Sequence, residues 1–172
     1  IVVFDMALTA VAAHSRGRLE MKDLDQSLSK ATRDFVTLVP ILHRSGFSLS
    51  IATHSDEAEF GGSVLPETHI LGKELATALV KKHFSPDVSS AFYIIAYNPR
   101  FRPEGEIPDN QIKRYHMRLI QEHFQVKPIE IVFFDDTEHV VKDCKEMCGI
   151  QAFQVDPETG FCLEDLIANY LK

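Results

Sequence analysis

Four short segments, far apart in the chain, carry side chains suited to one reaction. Asp5 follows the apolar run Ile1-Val2-Val3-Phe4. Thr53, followed by His54, Ser55 and Asp56, closes the run Ser50-Ile51-Ala52. Asp135 and Asp136 follow Val132-Phe133-Phe134, and Lys113 stands at the start of an amphipathic stretch. A carboxylate can attack phosphorus and form an aspartyl-phosphate, which splits one difficult step into two. The attack brings two anions together, so positive charge must offset their repulsion. Lys113 offers a point charge, and Mg²⁺ suits a site of carboxylate, carbonyl and water oxygens. The Thr53 hydroxyl and neighbouring backbone N–H groups can bind the equatorial oxygens over which transition-state charge spreads. Two adjacent acids at the end of an apolar strand repel each other unless a cation or donors are near, which marks Asp135-Asp136 as a metal site. Singly, each of these residues has an ordinary use as a turn, cap or solvated helix residue. Their order at successive strand ends is what points to phosphoryl transfer.

The four segments meet only if a sheet gathers them. Five apolar runs without polar alternation, at 1–4, 47–52, 91–97, 129–134 and 150–155, read as buried parallel strands. Helical spacing separates them. Leu28, Ala31, Phe35, Leu38, Val39 and Leu42 form one face that stops at Gly46, and Pro40 within it predicts a kink or a break. Further helical faces run over Leu75–Phe84, Ile112–Phe124, Val140–Met147 (ended by Gly149) and Leu163–Tyr170. Alternating strands and helices predict an α/β fold with a mostly parallel five-stranded sheet, helices on both faces and one domain over residues 1–172. In such sheets ligands bind at the carboxyl ends of the strands, where strand order reverses. Residues 10–26 read as a short flap beside the first strand end, and 59–72 as irregular chain in which Gly61-Gly62 lets a loop turn. Residues 97–110, with Pro99, Pro103, Gly105 and Pro108, read as an exposed loop whose Arg100 and Arg102 can meet an anionic substrate.

The formal net charge of −7 argues against nucleic acid or an acidic membrane surface as the partner. No run of about 18 apolar residues exists to span a bilayer. Cys144, Cys148 and Cys162 fit neither a disulfide framework nor a zinc site, and read as small core hydrophobes in a reducing compartment, with an intracellular, cytoplasmic location expected. The chain opens without Met or a signal region, so residues upstream of Ile1 are expected to have been removed or to be disordered, with any targeting signal among them.

These motifs resemble the haloacid dehalogenase-like (HAD) superfamily in order and spacing. Its pattern is a strand ending in Asp-x-Asp-x-Thr or Val, a strand ending in Thr or Ser, a Lys near a helix start and a strand ending in an acidic pair. Here these read Val2-Val3-Phe4-Asp5-Met6-Ala7-Leu8-Thr9, Ser50-Ile51-Ala52-Thr53, Lys113, and Ile131-Val132-Phe133-Phe134-Asp135-Asp136. The phrases Phe133–Asp136, Ala52–Glu57 and Lys113 with His116 are most similar to the eukaryotic magnesium-dependent phosphatases. The resemblance implies a three-layer Rossmann-like fold with strand order 5-4-1-2-3 and no large cap domain. It implies that Asp5 is nucleophile and Mg²⁺ ligand, the Ala7 carbonyl a second ligand and Asp136 a third, with Asp135 as ligand or support. Thr53 and Lys113 would hold the phosphoryl group, with His54 beside them against the substrate. The implied substrate is a phosphorylated small molecule or, as is common among capless members, a phosphoprotein.

One position departs from the pattern. The second Asp of the first motif, which protonates the leaving group and then activates water, is Ala7 here. Such a group contributes about 10²–10⁴-fold. The chain therefore reads either as a slow Mg²⁺-dependent phosphomonoesterase or as a degenerate phosphatase, a binding module that keeps metal and phosphate affinity. His54, Asp56 and His116 are the candidates to replace the lost acid. The phosphonoacetaldehyde hydrolase branch also carries Ala at this position, but it relies on a cap-borne Lys, and no comparable cap is evident here. A phosphorelay receiver domain uses similar residues in a different order, with its acidic pair after the first strand.

Overall fold

The computed structural model describes residues 1–15, 17–60, 67–101 and 113–170. Gly61-Gly62, Arg102 and most of the Pro-rich loop lie outside the described residues, as does Ile112. The described chain contains strands β1 (Val2–Phe4), β2 (Arg18–Glu20), β3 (Leu49–Thr53), β4 (His69–Leu71), β5 (Phe92–Ala96), β6 (Val132–Asp135) and β7 (Gln151–Gln154). Its helices are α1 (Leu24–Leu28), α2 (Arg33–Arg44), α3 (Gly72–His83), α4 (Pro86–Ser90), α5 (Arg114–Phe124), α6 (Glu138–Cys148) and α7 (Leu163–Tyr170).

Five strands form one all-parallel sheet in the order β5-β3-β1-β6-β7. The chain fills one half first, from β1 through β3 to β5, then returns across the sheet to β6 beside β1. The switch point therefore lies between β1 and β6, and the crevice it opens is at their carboxyl ends. Both faces of the sheet are covered. Val2 and Phe4 point to one side, into a core with Phe35 and Val39 of α2 and Leu75 and Leu79 of α3. Val3 and Phe133 point to the other, into a core with Met117 and Ile120 of α5 and Val140 and Cys144 of α6. Burial on both faces explains why these strands read as unbroken apolar runs. Phe4 anchors the centre: its ring packs against Phe35, Phe134 and Phe161 at centroid distances of 5.0, 5.5 and 5.1 Å.

Several boundaries differ from the sequence reading. The strand expected at 47–52 begins at Leu49, because Gly46 adopts φ 83° and the Phe47 N–H bonds back to the Leu42 carbonyl at 3.0 Å. Ile129 lies in a single 3₁₀ turn rather than in β6 and is 60% exposed. The helical face from Leu28 to Leu42 is two helices, not one. Thr32 is extended and its hydroxyl accepts the Phe35 N–H at 3.4 Å, so α2 starts afresh there. Pro40 neither breaks nor ends α2, which runs on to Arg44; the proline withholds one N–H donor, and the buried Phe35 and Val39 hold the helix to the sheet. Residues 59–72 are not wholly irregular: β4 pairs antiparallel with β2, Leu19 opposite Ile70. That two-stranded sheet lies in the 10–26 flap segment on one side and leads into α3 on the other.

Candidate active site

Register brings the candidate residues together before any side chain is considered. Phe4 is aligned with Ile51 of β3 and with Phe134 of β6. The next residues, Asp5, Ala52 and Asp135, therefore form one row across three strands, and the Asp5 N–H donates to the Phe134 carbonyl at 2.8 Å. Beyond Asp5 the chain turns sharply. The Val11 N–H bonds to the Met6 carbonyl at 3.0 Å, and Leu8 takes a left-handed φ of 57°. This turn carries Ala7 and Leu8 along the wall of a cavity of about 430 Å³, which Asp5, Thr53, His54, Lys113, Asp135 and Asp136 also line. The expected nucleophile, metal-ligand and phosphate-binding residues, Asp5, Ala7, Thr53, His54, Lys113, Asp135 and Asp136, thus line one cavity at the carboxyl ends of the strands.

Lys113 sits at the N-cap position of α5 and is 2% exposed. Its Nζ lies 2.6 Å from Asp5 Oδ1 and 4.0 Å from Asp135 Oδ2, and it donates to the Ala52 carbonyl. The ammonium therefore bridges all three strands of the row. The sequence offered Lys113 as a point charge for a phosphate oxygen or for Asp5; here the ammonium is paired with the Asp5 carboxylate. Asp135 Oδ1 accepts the Thr137 N–H at 2.9 Å. Burial pushes the Asp135 carboxyl up to about 7, the charge of Asp5 adds to this, and Lys113 opposes it. Asp136 is raised as well, by burial first and then by Asp5.

The Thr53 carbonyl accepts the Tyr97 N–H at 3.0 Å and pairs with His116 Nε2 at 3.1 Å. His116 is fully buried, and its pKa lies well below the usual range, through desolvation first and then the charge of Lys113. It is therefore neutral, and because a carbonyl only accepts, Nε2 carries the proton. With the Thr53 carbonyl held toward β5, the trans peptide aims the His54 N–H the opposite way, toward β1 and Asp5. The Thr53 hydroxyl accepts the Ser55 N–H at 3.2 Å and keeps a proton to donate.

Two of the three candidates for the lost acid have other tasks. Asp56 is 1% exposed and accepts the Ala58 N–H at 2.9 Å and the Asn98 N–H at 2.7 Å, so it ties loops together. His116 lies behind Thr53. His54 alone of the three lines the cavity. The sequence reading missed His14, Ser15 and Gly17, which form the flap side of the cavity. Ser55 ties this flap down at Gly17: its hydroxyl donates to the Gly17 carbonyl and accepts the Gly72 N–H at 2.6 Å.

Among the described residues no three His, Cys, Asp or Glu side chains converge as a ready-made metal cage. Mg²⁺ does not require one, since one or two carboxylates, a carbonyl and several waters satisfy it. Burial raises Asp135 and Asp136 first and the charge of Asp5 raises them further, and a hard cation would relieve both by favouring the ionised carboxylates. Asp5, Ala7 and Asp136 line the cavity, and the oxygens such residues offer fit such an ion.

A pH prediction follows for the metal-free protein. Between the ordinary aspartate value and about 7, folded Asp135 keeps a proton that the unfolded chain has released. Raising pH through that window therefore lowers stability. Thermal melts in EDTA from pH 4.5 to 7.5 should show the part due to this group as a fall, and Mg²⁺ should flatten it. Melts that coincide with and without Mg²⁺ across the window would contradict it.

No family model matches the chain, and no curated protein does. A solved structure does: the HAD domain of the effector protein Lem4 from Legionella pneumophila has a TM-score of 0.56 over 98% of this chain and 93% of that one, at 10% identity. The fold is that of a HAD domain. The order of the parallel strands and the helices on both faces agree with this HAD-like fold. No helix among the described residues is long and apolar enough to cross a membrane.

Proposed function

We propose that the chain is a Mg²⁺-dependent phosphomonoesterase that works through an aspartyl-phosphate on Asp5, and that it belongs to the HAD superfamily near the magnesium-dependent phosphatases. The observation that carries this reading is the Lys113 ammonium 2.6 Å from Asp5 in a cavity that Thr53, Asp135 and Asp136 also line. Lys113 orients Asp5 toward phosphorus and shares the charge that builds as carboxylate and phosphate approach. The Thr53 hydroxyl and the His54 N–H would donate to equatorial phosphate oxygens. A bound Mg²⁺, held by Asp5, Asp136 and the Ala7 carbonyl, would offset the remaining anionic charge; Asp135, engaged with Thr137, supports from behind. The substrate is a phosphorylated small molecule or phosphoprotein, and the compartment a reducing, cytoplasmic one.

Ala7 favours a second reading, a phosphatase-like binding module without turnover. No proton donor replaces the lost carboxyl at its own position, and of the residues considered for that task only His54 reaches the cavity. The experiment is release of phosphate from an activated aryl ester, with and without Mg²⁺, by wild type and Asp5→Asn. An activated leaving group needs little protonation, so wild type should turn over and Asp5→Asn should lose more than about 10³-fold. An inert wild type that still binds Mg²⁺ and a phosphate mimic supports the binding module; one that binds neither ends both readings.

A further inference from the structure

The crevice does not end at the phosphate site. A second depression of about 580 Å³ shares His54, Asn98, Arg100 and Thr137 with the first and adds His139. The two adjoin along these shared residues, but the carboxylates line only one of them among the described residues. The first basin holds Asp5, Asp135, Asp136 and Glu59. None of the described residues lining the second is Asp or Glu; it offers the Arg100 guanidinium and two imidazoles, in a chain whose net charge is −7. Arg100 is exposed, yet its backbone is placed by a relay of hydrogen bonds from the core. Buried Asp56 accepts the Asn98 N–H at 2.7 Å, and the Asn98 side chain accepts the Arg100 N–H at 3.1 Å. His139, on the first turn of α6, lines the same basin.

From this contrast we infer that the second basin is a subsite for an anionic group on the leaving-group side of the substrate, so that the preferred substrates are phosphomonoesters carrying a second negative charge. The inference rests on the phosphatase reading and gives it a substrate class. The phosphoryl group is drawn to Lys113 and the bound cation, while a carboxylate or second phosphate on the remainder is repelled by the acidic basin and accepted beside Arg100 and His139. Asp56, set aside as the missing acid, gains a task here as the anchor of Arg100.

The test compares 3-phosphoglycerate with glycerol 3-phosphate, which differ by one carboxylate in place of a hydroxymethyl group. Binding by calorimetry and phosphate release are both read in Mg²⁺, and a phosphoserine peptide with Glu or Gln after the phosphoserine forms a second pair. The carboxylated member should be favoured by about three- to tenfold, the effect of one partly exposed charge pair with Arg100 and a hydrogen bond from His139. Arg100→Ala with His139→Ala should erase that ratio by weakening 3-phosphoglycerate more than glycerol 3-phosphate. A ratio confined to the peptide pair supports the subsite and identifies its source as a protein. Equal behaviour of both members in both pairs, or a ratio that survives the double substitution, overturns the subsite alone. If no ester binds or reacts, the phosphate site itself fails and the subsite with it.

Discussion

Ala7→Asp is expected to raise turnover of an alkyl phosphate by about 10²–10⁴-fold, the range that a positioned general acid and base contributes. Ala7 lines the cavity two residues after Asp5, on the turn that leaves β1. A carboxyl placed there can protonate the departing oxygen and then take a proton from water. The rest of the apparatus is already assembled, because Lys113, Thr53 and the acidic pair line the same cavity. The gain should be large for alkyl esters and small for nitrophenyl esters, whose leaving groups need no proton. Steady-state rates on both ester types check this. A gain equal for the two would show that the new carboxylate acts by recruiting metal, and no gain on either would show that Ala7 does not face the leaving group.

The second large effect is a loss. Lys113→Met keeps the length and apolar stem of the side chain but removes the ammonium that sits 2.6 Å from Asp5 and 4.0 Å from Asp135. Two buried carboxyls would then face each other without a cation. Asp135 is raised to about 7 even with Lys113 present. Removing one partner of a buried ion pair costs about 3–5 kcal/mol. In metal-free buffer at pH 7.5, the urea midpoint should fall accordingly, and Mg²⁺ should recover more stability in the variant than in wild type. Activity should be lost at every Mg²⁺ concentration, since Asp5 is no longer held. A variant as stable and active as wild type would contradict the role given to this bridge.

Much of this architecture was legible because parallel strands buried on both faces write themselves as plain apolar runs. The residues just past those runs, Asp5, Thr53 and Asp135, could be named without knowing the strand order. Their meeting could not be read from spacing alone; the order came from resemblance, and the register of Phe4 against Ile51 and Phe134 supplies the physical reason. Other features left weak marks. β4 is three residues long and, among the described residues, paired only with β2, so it has no run long enough to show a period. The division of α1 from α2 hid under helical spacing that continued through Ala31, although Thr32 is a recognisable cap. The Ala52 carbonyl that receives Lys113 has no residue-type signature, since every backbone offers a carbonyl. The flap is tied down at Gly17 by the Ser55 hydroxyl, a contact 38 residues away in sequence.

Phosphatase chemistry in this cavity requires Asp5 itself to become phosphorylated, and the missing acid opens this to direct observation. Without a carboxylate at position 7 to activate water, the acyl phosphate should outlive its formation. Wild-type protein mixed with an activated aryl phosphate and Mg²⁺, quenched with borohydride, should yield homoserine at position 5 in peptide mass spectra, because hydride reduces the acyl phosphate to an alcohol. Omitting Mg²⁺ or the ester should leave aspartate. Steady phosphate release with Asp5 never reduced, or with homoserine formed at Asp135 or Asp136 instead, would contradict the account.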